Sequence, residues 1–517
     1  MMYNITFLPT NRSISVDGST SILQAATMVG VRINAVCGGE GSCGKCKVII
    51  KKGTVNSNLL GNGYVLACKS FPLSDLEVYV PEQNELKIVG LKKTIEGNRP
   101  IARGLGLAFD IGTTTVVGSL VDLDSKRVIR TYSDYNKQIN TGADVLSRIL
   151  YAKKGLNELN RLILETLNSI ISKLLDENEK ERVSYVIVAG NTTMIYLLLK
   201  KNPEVIRTET FPETKYETTC ADNLGLKLNA KAKVFCVPGI SGYVGGDIVS
   251  DIIASELYKD NKTTLLIDVG TNGEVVLGNK DWVMACSSSA GPAFEGGEVK
   301  CGVRAMAGAI ERITITDRIM FSTIEDCKAV GICGSGLIDL VAELFKNSII
   351  DRAGNINIGK PFTLTSDRKK IFKITEDVYI EEDEIKNIIR SKAAIFSACS
   401  TLLEKANLKF SDLDRIIVAG GFGNYLNLKN AITIGLLPDL PHERFKFIGN
   451  GAIAGTIAML LDENKFRECN RLVERITYID LNTDENFMKE YVSAMFLPHT
   501  NIDLFPSVKD TITGGTD

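Results

Sequence analysis

The sequence predicts a small α+β segment followed by a longer α/β module built as two similar lobes, and three observations lead there. Residues 1–82 alternate short strand-like runs with one helical stretch and a glycine-rich loop. From residue 104 onward, short apolar runs that end in glycine (LGLAFDIG, YVIVAG, TLLIDVG, DRIIVAGG) are interspersed with long amphipathic helices, as when buried strands feed glycine turns. Finally, FDIGTTTVVGSLVDL (109–123) is echoed by IDVGTNGEVVLGN (267–279), each reading as strand, Asp-x-Gly-Thr turn, strand.

In chain order, YNITFLP and SISV form a hairpin with Asn11 and Arg12 near its turn. Ser19 to Val29 carries apolar residues at helical spacing and opens on polar capping residues. KVIIKKG and DLEVYVP are strands. Residues 83–103, polar and basic with Gly and Pro, are a linker. Residues 104–262 make a first lobe, with helices over 143–154 and 157–176. Residues 263–500 make a second lobe that returns to the first and includes a helix over 382–406. Residues 501–517 are expected to be a loose tail.

Composition removes several classes of function. Hydrophobic residues are 44% of the 517, enough for substantial cores, and 60 Lys+Arg against 62 Asp+Glu leaves no basic block for nucleic acid. No apolar run is long enough to span a bilayer, and the N-terminus lacks the pattern of a signal peptide, so a cytoplasmic protein without membrane attachment is expected. Only His442 and His499 occur, which leaves little scope for histidine acid–base chemistry.

Twelve cysteines are present, and four of them fall before residue 70 as Cys37-x5-Cys43-x2-Cys46 followed by Cys68. Four thiolates are the ligand set of a [2Fe–2S] cluster, and Gly38, Gly39, Gly41 and Gly44 let the backbone wrap closely and aim N–H groups at the sulfurs. Structural zinc also accepts four thiolates, although it usually takes two Cys-x2-4-Cys knuckles and only Cys43–Cys46 has that form. Unligated core cysteines are the remaining alternative. The other eight form no Cys-x2-Cys pair and read as small buried residues.

Asp110-Ile-Gly112-Thr113-Thr114-Thr115 lies between two apolar strands. Its glycine admits backbone amides to a polyphosphate, its threonine hydroxyls add donors, and the aspartate can hold hydrated Mg²⁺. Asp268-Val-Gly270-Thr271-Asn272-Gly273-Glu274 repeats the pattern in the second lobe. A third turn, Ala419-Gly420-Gly421-Phe422-Gly423, follows the strand RIIV and would allow close approach of a nucleoside. Neither a Walker A loop nor a Rossmann fingerprint occurs. Asp247, opening an apolar helix, reads equally as a residue that orients an attacking water or as an N-cap. Gly334 in ICGSG reads as a further turn toward the nucleotide or as a helix entry.

Residues 1–82 resemble [2Fe–2S] ferredoxins of the β-grasp type, with the five-residue first gap of the adrenodoxin-like branch. In order, the three turns resemble the ATPase superfamily of acetate and sugar kinases, Hsp70 and actin, which implies two RNase-H-like lobes with ATP in the cleft between them. By that resemblance 110–115 and 268–274 are phosphate motifs and 419–423 the adenosine motif. YVIVAGNTTM (185–194) and VPGISGYVGGD (237–247) fall in its first connection, FIGNGAIAGTIAML (447–460) in its second. The combination resembles the reductive activators of corrinoid-dependent methyltransferases and corrinoid iron–sulfur proteins. This implies ATP-dependent, one-electron return of Co(II) corrinoid to Co(I), a dimer, a corrinoid protein as partner, and an external ferredoxin or flavodoxin as electron source. Two other readings stay open: an ATP-coupled donor to a different low-potential metalloenzyme, and a redox-sensing small-molecule kinase.

Overall fold

The computed structural model describes residues 2–29, 31, 33, 46–57, 64–80, 99–141, 144–208, 213–366, 369–421 and 426–509. Most of the expected linker, together with Cys37, Cys43, Phe422 and Gly423, lies outside these residues.

The N-terminal domain is a five-stranded mixed sheet under one short helix. Its elements are β1 (Met2–Leu8), β2 (Arg12–Asp17), α1 (Ile22–Met28), β3 (Lys47–Lys52), β4 (Tyr64–Leu66) and β5 (Leu76–Tyr79). The sheet order is β2-β1-β5-β3-β4, with β1 parallel to β5 and the other pairs antiparallel. Asn11 supplies the positive φ at the β1–β2 turn (55°). Ile5, Phe7, Ala25, Val48, Val65 and Val78 bury the inner face against α1.

The first lobe begins with the hairpin β6 (Leu105–Ile111) and β7 (Thr115–Asp122), continued antiparallel by β8 (Arg127–Tyr135). Helix α2 (Val145–Leu174) then crosses to β9 (Val183–Gly190), α3 (Thr192–Leu198), β10 (Lys233–Cys236) and α4 (Gly246–Ser255). Both β9 and β10 join in parallel, giving the order β8-β7-β6-β9-β10 with a short edge pair at Thr219–Cys220. The two helices expected over 143–154 and 157–176 are both present within Val145–Leu174 and meet at a kink at Gly155, whose φ of −129° and ψ of 26° are non-helical. A Cβ there would lie 2.2 Å from the Tyr151 ring as it is placed, so a side chain at 155 would displace that ring.

The second lobe repeats the plan. A hairpin, β11 (Thr264–Val269) and β12 (Gly273–Gly278), is extended by β13 (Val283–Ser288). An inserted small sheet follows, made of β14 (Ala309–Ile315), β15 (Ile319–Thr323) and β16 (Gly331–Ile332). Next come α5 (Gly334–Lys346), α6 (Glu382–Lys405), β17 (Arg415–Ala419), β18 (Phe445–Gly449), α7 (Gly451–Leu461), α8 (Glu463–Arg475), β19 (Ile476–Tyr478) and α9 (Glu485–Ala494). The main sheet runs β18-β17-β11-β12-β13-β19. Apart from edge strands, both lobes share one order: a three-strand meander with two parallel strands added beside its first. The repeated turn motif in the sequence therefore marks a repeated sheet.

One core lies between the two sheets and belongs to both lobes, joining Ile248 and Ile252 of α4, Leu266, Val276 and Ile417 of the second sheet, and Ile453 and Ile457 of α7. There α4 and α7 cross backbone to backbone. A Cβ on Gly455 would lie 2.0 Å from the Ser250 carbonyl oxygen, and one on Gly451 would lie 2.2 Å from Asp251 Oδ1. The end of the expected linker is pinned to this corner, with Ile101 N–H donating to Leu460 O (3.1 Å) and Glu463 N–H to Arg99 O (2.8 Å).

The expectation of a loose tail from residue 501 is corrected for 501–509. Phe505 and Val508 are buried in the core of the second lobe, and Phe505 packs on Phe396 of α6 at 5.4 Å between ring centroids. The buried Lys392 ammonium donates to Phe496 O (2.7 Å) and Pro498 O (2.6 Å), and Arg352 donates to Leu497 O (3.1 Å) and His499 O. These two basic side chains satisfy carbonyls that the irregular segment 496–499 leaves unpaired; polar composition gave no sign of them. No helix among the described residues is long and apolar enough to cross a membrane.

Replacing Gly455 by Ala pushes a methyl group into a carbonyl that cannot rotate away. The expected cost is about 1–3 kcal/mol, read as a lowered urea midpoint of the two-lobed module. An unchanged midpoint would contradict the backbone contact.

Candidate functional site

The hairpin turns of the two lobes meet face to face, with Thr113 Oγ1 and Thr271 Oγ1 3.3 Å apart. Each turn is held by its own backbone: Gly112 N–H donates to Thr115 O (2.9 Å), and Gly270 N–H donates to Asn272 O (3.0 Å). Asp110 and Asp268 occupy equivalent places near the ends of β6 and β11. Gly420, directly after β17, has a φ of 111°, and a Cβ there would meet Val269 O at 2.5 Å and Asp268 Oδ1 at 3.3 Å. Gly420 of the third turn therefore lies against the second, while a Cβ on Gly421 would meet nothing within 4 Å among the described residues. Gly334 opens α5 behind Cys333, and no side chain caps that helix, so the helix-entry reading describes its local structure.

Helix α4 adds two further carboxylates. Its N-cap is Gly245, and Asp247 stands two residues into the first turn. The N-cap reading of Asp247 is therefore overturned, because the capping position belongs to a residue without a side chain. Asp251 follows one turn later on the same face. It is buried, and neither of its carboxyl oxygens accepts a conventional hydrogen bond. Glu274, also buried, is approached by Ser287 Oγ at 3.3 Å.

Asp110, Asp247, Asp251, Asp268 and Glu274 thus converge, and none forms an ion pair among the described residues. Burial pushes Asp110 up to about 6, opposed by the hydrogen bond that Asn450 Nδ2 donates to it at 2.7 Å. Burial and then the neighbouring Asp110 push Asp247 up to about 7. Asp268 rises to about 7 through burial, Asp110 and Glu295. Burial followed by neighbouring carboxylates holds Asp251 and Glu274 well above the ordinary range. So much unpaired negative charge favours protonation or a bound cation. No three His, Cys, Asp or Glu side chains among the described residues are placed to hold a metal by themselves. That suits Mg²⁺, which commonly takes one or two carboxylates and completes its shell with water and substrate phosphates.

Several contributors have no motif in the sequence. Asn450 is the N-cap of α7, its Oδ1 accepting from Ile453 N–H (2.9 Å) while its amide reaches Asp110 across the lobes. Glu295 accepts from Thr114 Oγ1 and Thr271 Oγ1, each at 3.1 Å. Arg304 lies 3.8 Å from Glu295, donates to the Thr115 hydroxyl, and sits over the Tyr135 ring at 4.9 Å. Arg148 donates to Thr113 O, and Asn136 Nδ2 to Gly112 O (2.9 Å), bracing the first turn from behind. The four-residue spacing of Asp247 and Asp251 was visible in the sequence; pairings across 150 or more residues were not.

In the N-terminal domain, Cys46 immediately precedes β3 and Cys68 sits in a short 3-10 turn after β4; both are buried. Their sulfurs are 3.1 Å apart, not joined as a disulfide, and Ala67 N–H donates to Cys46 O (2.8 Å) to fix the two backbones. Two buried thiols facing each other suit two ligands of one metal centre. Cys37 and Cys43 lie outside the described residues.

Residues 5–73 match the family described as a 2Fe-2S iron-sulfur cluster binding domain, 105–260 the RACo middle region, and 262–509 the C-terminal domain of RACo, the ASKHA domain. The chain is 30% identical to the corrinoid activation enzyme RamQ of Eubacterium limosum, over 93% of this chain and 97% of that protein. It is 24% identical to a [Co(II) methylated amine-specific corrinoid protein] reductase of Methanosarcina barkeri, over 75% and 76%. A solved structure of a reductive activator for a corrinoid, iron-sulfur protein superposes with a TM-score of 0.76 at 35% identity, covering 98% of this chain and all of that one. The N-terminal domain is therefore a [2Fe–2S] domain, and the two lobes form an ASKHA-type module.

The acidic floor sets a pH dependence. Asp247 titrates near 3.8 when unfolded and near 7 when folded, so between those values the native state binds more protons and stability falls as pH rises. In EDTA without nucleotide, Asp247→Asn should gain stability over wild type progressively from about pH 4 to 7 and then level off. The slope should be at most about 1.4 kcal/mol per pH unit. Urea midpoints across that range check it; a gain that shrinks with rising pH would contradict the assignment.

Proposed function

The chain belongs to the RACo family of reductive activators of corrinoid proteins, and from that premise we propose that it delivers single electrons to Co(II) corrinoid under the control of ATP. A corrinoid-binding methyltransferase component or corrinoid iron–sulfur protein is the partner, and Co(I) corrinoid the product. The observation that carries the ATP half is the meeting of two Asp-x-Gly-Thr turns beside five carboxylates that have no ion-pair partner among the described residues.

When bound, the [2Fe–2S] cluster takes up one electron and passes it on. Cys46 and Cys68, with Cys37 and Cys43, hold it. An external ferredoxin or flavodoxin recharges the domain, and the working unit is a homodimer.

In the cleft, Gly112 and Gly270 bring backbone close to the phosphates, and the hydroxyls of Thr113, Thr114, Thr115 and Thr271 supply donors. Asn272, Gly273 and Glu274 complete the second turn. Gly420 and Gly421 are on the nucleoside side, Phe422 and Gly423 belong to the same adenosine motif of the sequence, and Gly334 lies at a helix N-terminus available to the nucleotide. Asp110 and Asp268 would hold Mg²⁺, which offsets phosphate charge. Asp247, whose proton affinity lies near neutral, orients the attacking water. Each ~100 mV of uphill transfer costs about 2.3 kcal/mol per electron. Nucleotide binding meets such a cost by favouring one state of the complex with the partner.

The test mixes the reduced, cluster-loaded chain with a Co(II) corrinoid protein, with and without Mg-ATP, and follows Co(I) absorbance. ATP should accelerate its appearance, and the partner should raise the rate of ATP hydrolysis. Co(I) formation indifferent to ATP would sink the coupling; no Co(I) at all would point to a different acceptor. Asp247→Asn should lower hydrolysis by about 10²-fold or more while leaving the cluster spectrum intact.

A further inference from the structure

Glu295 stands where two lines of contact meet. On one side its carboxylate accepts a hydroxyl from each phosphate-type turn, Thr114 and Thr271. On the other lies Arg304, which also donates to Thr114 O (3.4 Å) and to the Thr115 hydroxyl. The backbone around both residues is tightly packed, since a Cβ on Gly302 would lie 2.3 Å from Gly296 O.

The segment that carries Arg304 is laced to residues 324–332. Gly308 N–H donates to Ile324 O (2.9 Å), Val330 N–H to Gly308 O (2.9 Å), Val303 N–H to Ile332 O (2.9 Å) and Ile332 N–H to Cys301 O (2.8 Å). At the far end of this lacing is a socket for one ammonium. Lys47 Nζ lies 3.2 Å from the Glu325 carboxylate, 3.3 Å from the Glu325 carbonyl oxygen and 2.9 Å from Cys327 Sγ. Glu325 and Asp326 both have positive φ (62° and 50°), and Thr323 Oγ1 closes their turn by donating to Cys327 O at 2.6 Å. Consecutive non-glycine residues in that region are uncommon and persist only where their surroundings hold them. Lys47 follows Cys46 directly in the chain, so the socket grips the cluster domain one residue from a cluster ligand.

We propose that Glu295 reads occupancy of the phosphate turns and relays it, through Arg304 and the paired segments 301–308 and 324–332, to the Lys47 clasp that seats the cluster domain on the second lobe. The relay rests on the ATP reading above. Phosphate oxygens need the Thr114 and Thr271 hydroxyls as donors, and their charge repels a carboxylate placed on those same hydroxyls. Glu295 therefore yields when the phosphates arrive. Arg304 is bound to both, so it follows one or the other, and its segment cannot shift without moving 324–332. The site so linked is the contact that decides whether the cluster domain stays seated on the lobe or is free to turn toward a partner.

The test is hydrogen exchange by mass spectrometry on the full, cluster-loaded chain, with and without Mg²⁺ and a non-hydrolysable ATP analogue. In wild type, exchange should change by about five-fold or more, the low end of allosteric couplings, both in 319–332 and in 46–52. Glu295→Gln keeps the shape but removes the charge that phosphate repels; it should bind the analogue and lose the change in 46–52. Lys47→Gln, at the other end, should keep the response in 301–332 and lose it in 46–52. A wild-type response confined to 110–115 and 268–274, or a Glu295→Gln response equal to wild type, overturns the relay while leaving ATP binding in place. A wild type that binds no analogue overturns the ATP reading and the relay with it.

Discussion

Five carboxylates gathered without an ion-pair partner among the described residues are the constraint on which the rest of the two-lobed module depends. Asp110 and Asp268 are brought by twin hairpins, Asp247 and Asp251 by α4, and Glu274 by the strand that follows the second turn. A fold does not gather such charge for stability, since each group costs free energy to bury and more to place beside its like. What holds them together is the apolar packing around them. The core shared by Ile248, Ile252, Leu266, Ile417, Ile453 and Ile457 fixes the angle between sheets, and Asn450 ties the second connection to Asp110. The cleft is stabilised from outside and strained at its floor, an arrangement suited to a multiply charged ligand and its cation.

Much of this architecture was legible in the sequence because the signals were local. A glycine after a strand, threonines at a turn and cysteines at fixed gaps act through neighbours a few residues away. The repeat of the Asp-x-Gly-Thr turn carried further, because similar hairpins call for similar sheets, and the matched strand orders of the lobes follow from it. Glu295, Arg304 and Asn450 were not legible. Their partners lie 181, 189 and 340 residues away, and a lone Glu, Arg or Asn in a loop has no spacing to reveal it. Asp251 was missed: its four-residue spacing from Asp247 was the one signal available, and only the fold shows that it is buried beside the other carboxylates. The segment after residue 500 misled for the opposite reason. Its polar composition suggested a loose end, while Phe505 and Val508 reach a core built from the chain far upstream.

The two halves of the molecule also answer different physical demands. The cluster domain needs only to hold its thiols in a buried, rigid corner, as the Cys46–Cys68 contact does across adjacent strands. The lobes bring their turns together, with Thr113 and Thr271 facing each other. Among the described residues, one contact between the halves is the Lys47 ammonium in its socket of oxygen and sulfur. Such a contact can be made and broken at a cost within reach of nucleotide binding, whereas a large apolar interface could not.

The burial of Phe505 and Val508 bears on how the protein is made. The second lobe cannot finish its core until almost the whole of residues 263–508 has left the ribosome, because strand, helix and closing segment come from opposite ends of that stretch. The cluster domain lies wholly within the first 80 residues and can fold long before. During synthesis a compact iron–sulfur module thus precedes a two-lobed module whose second core closes only when residues 505–508 arrive.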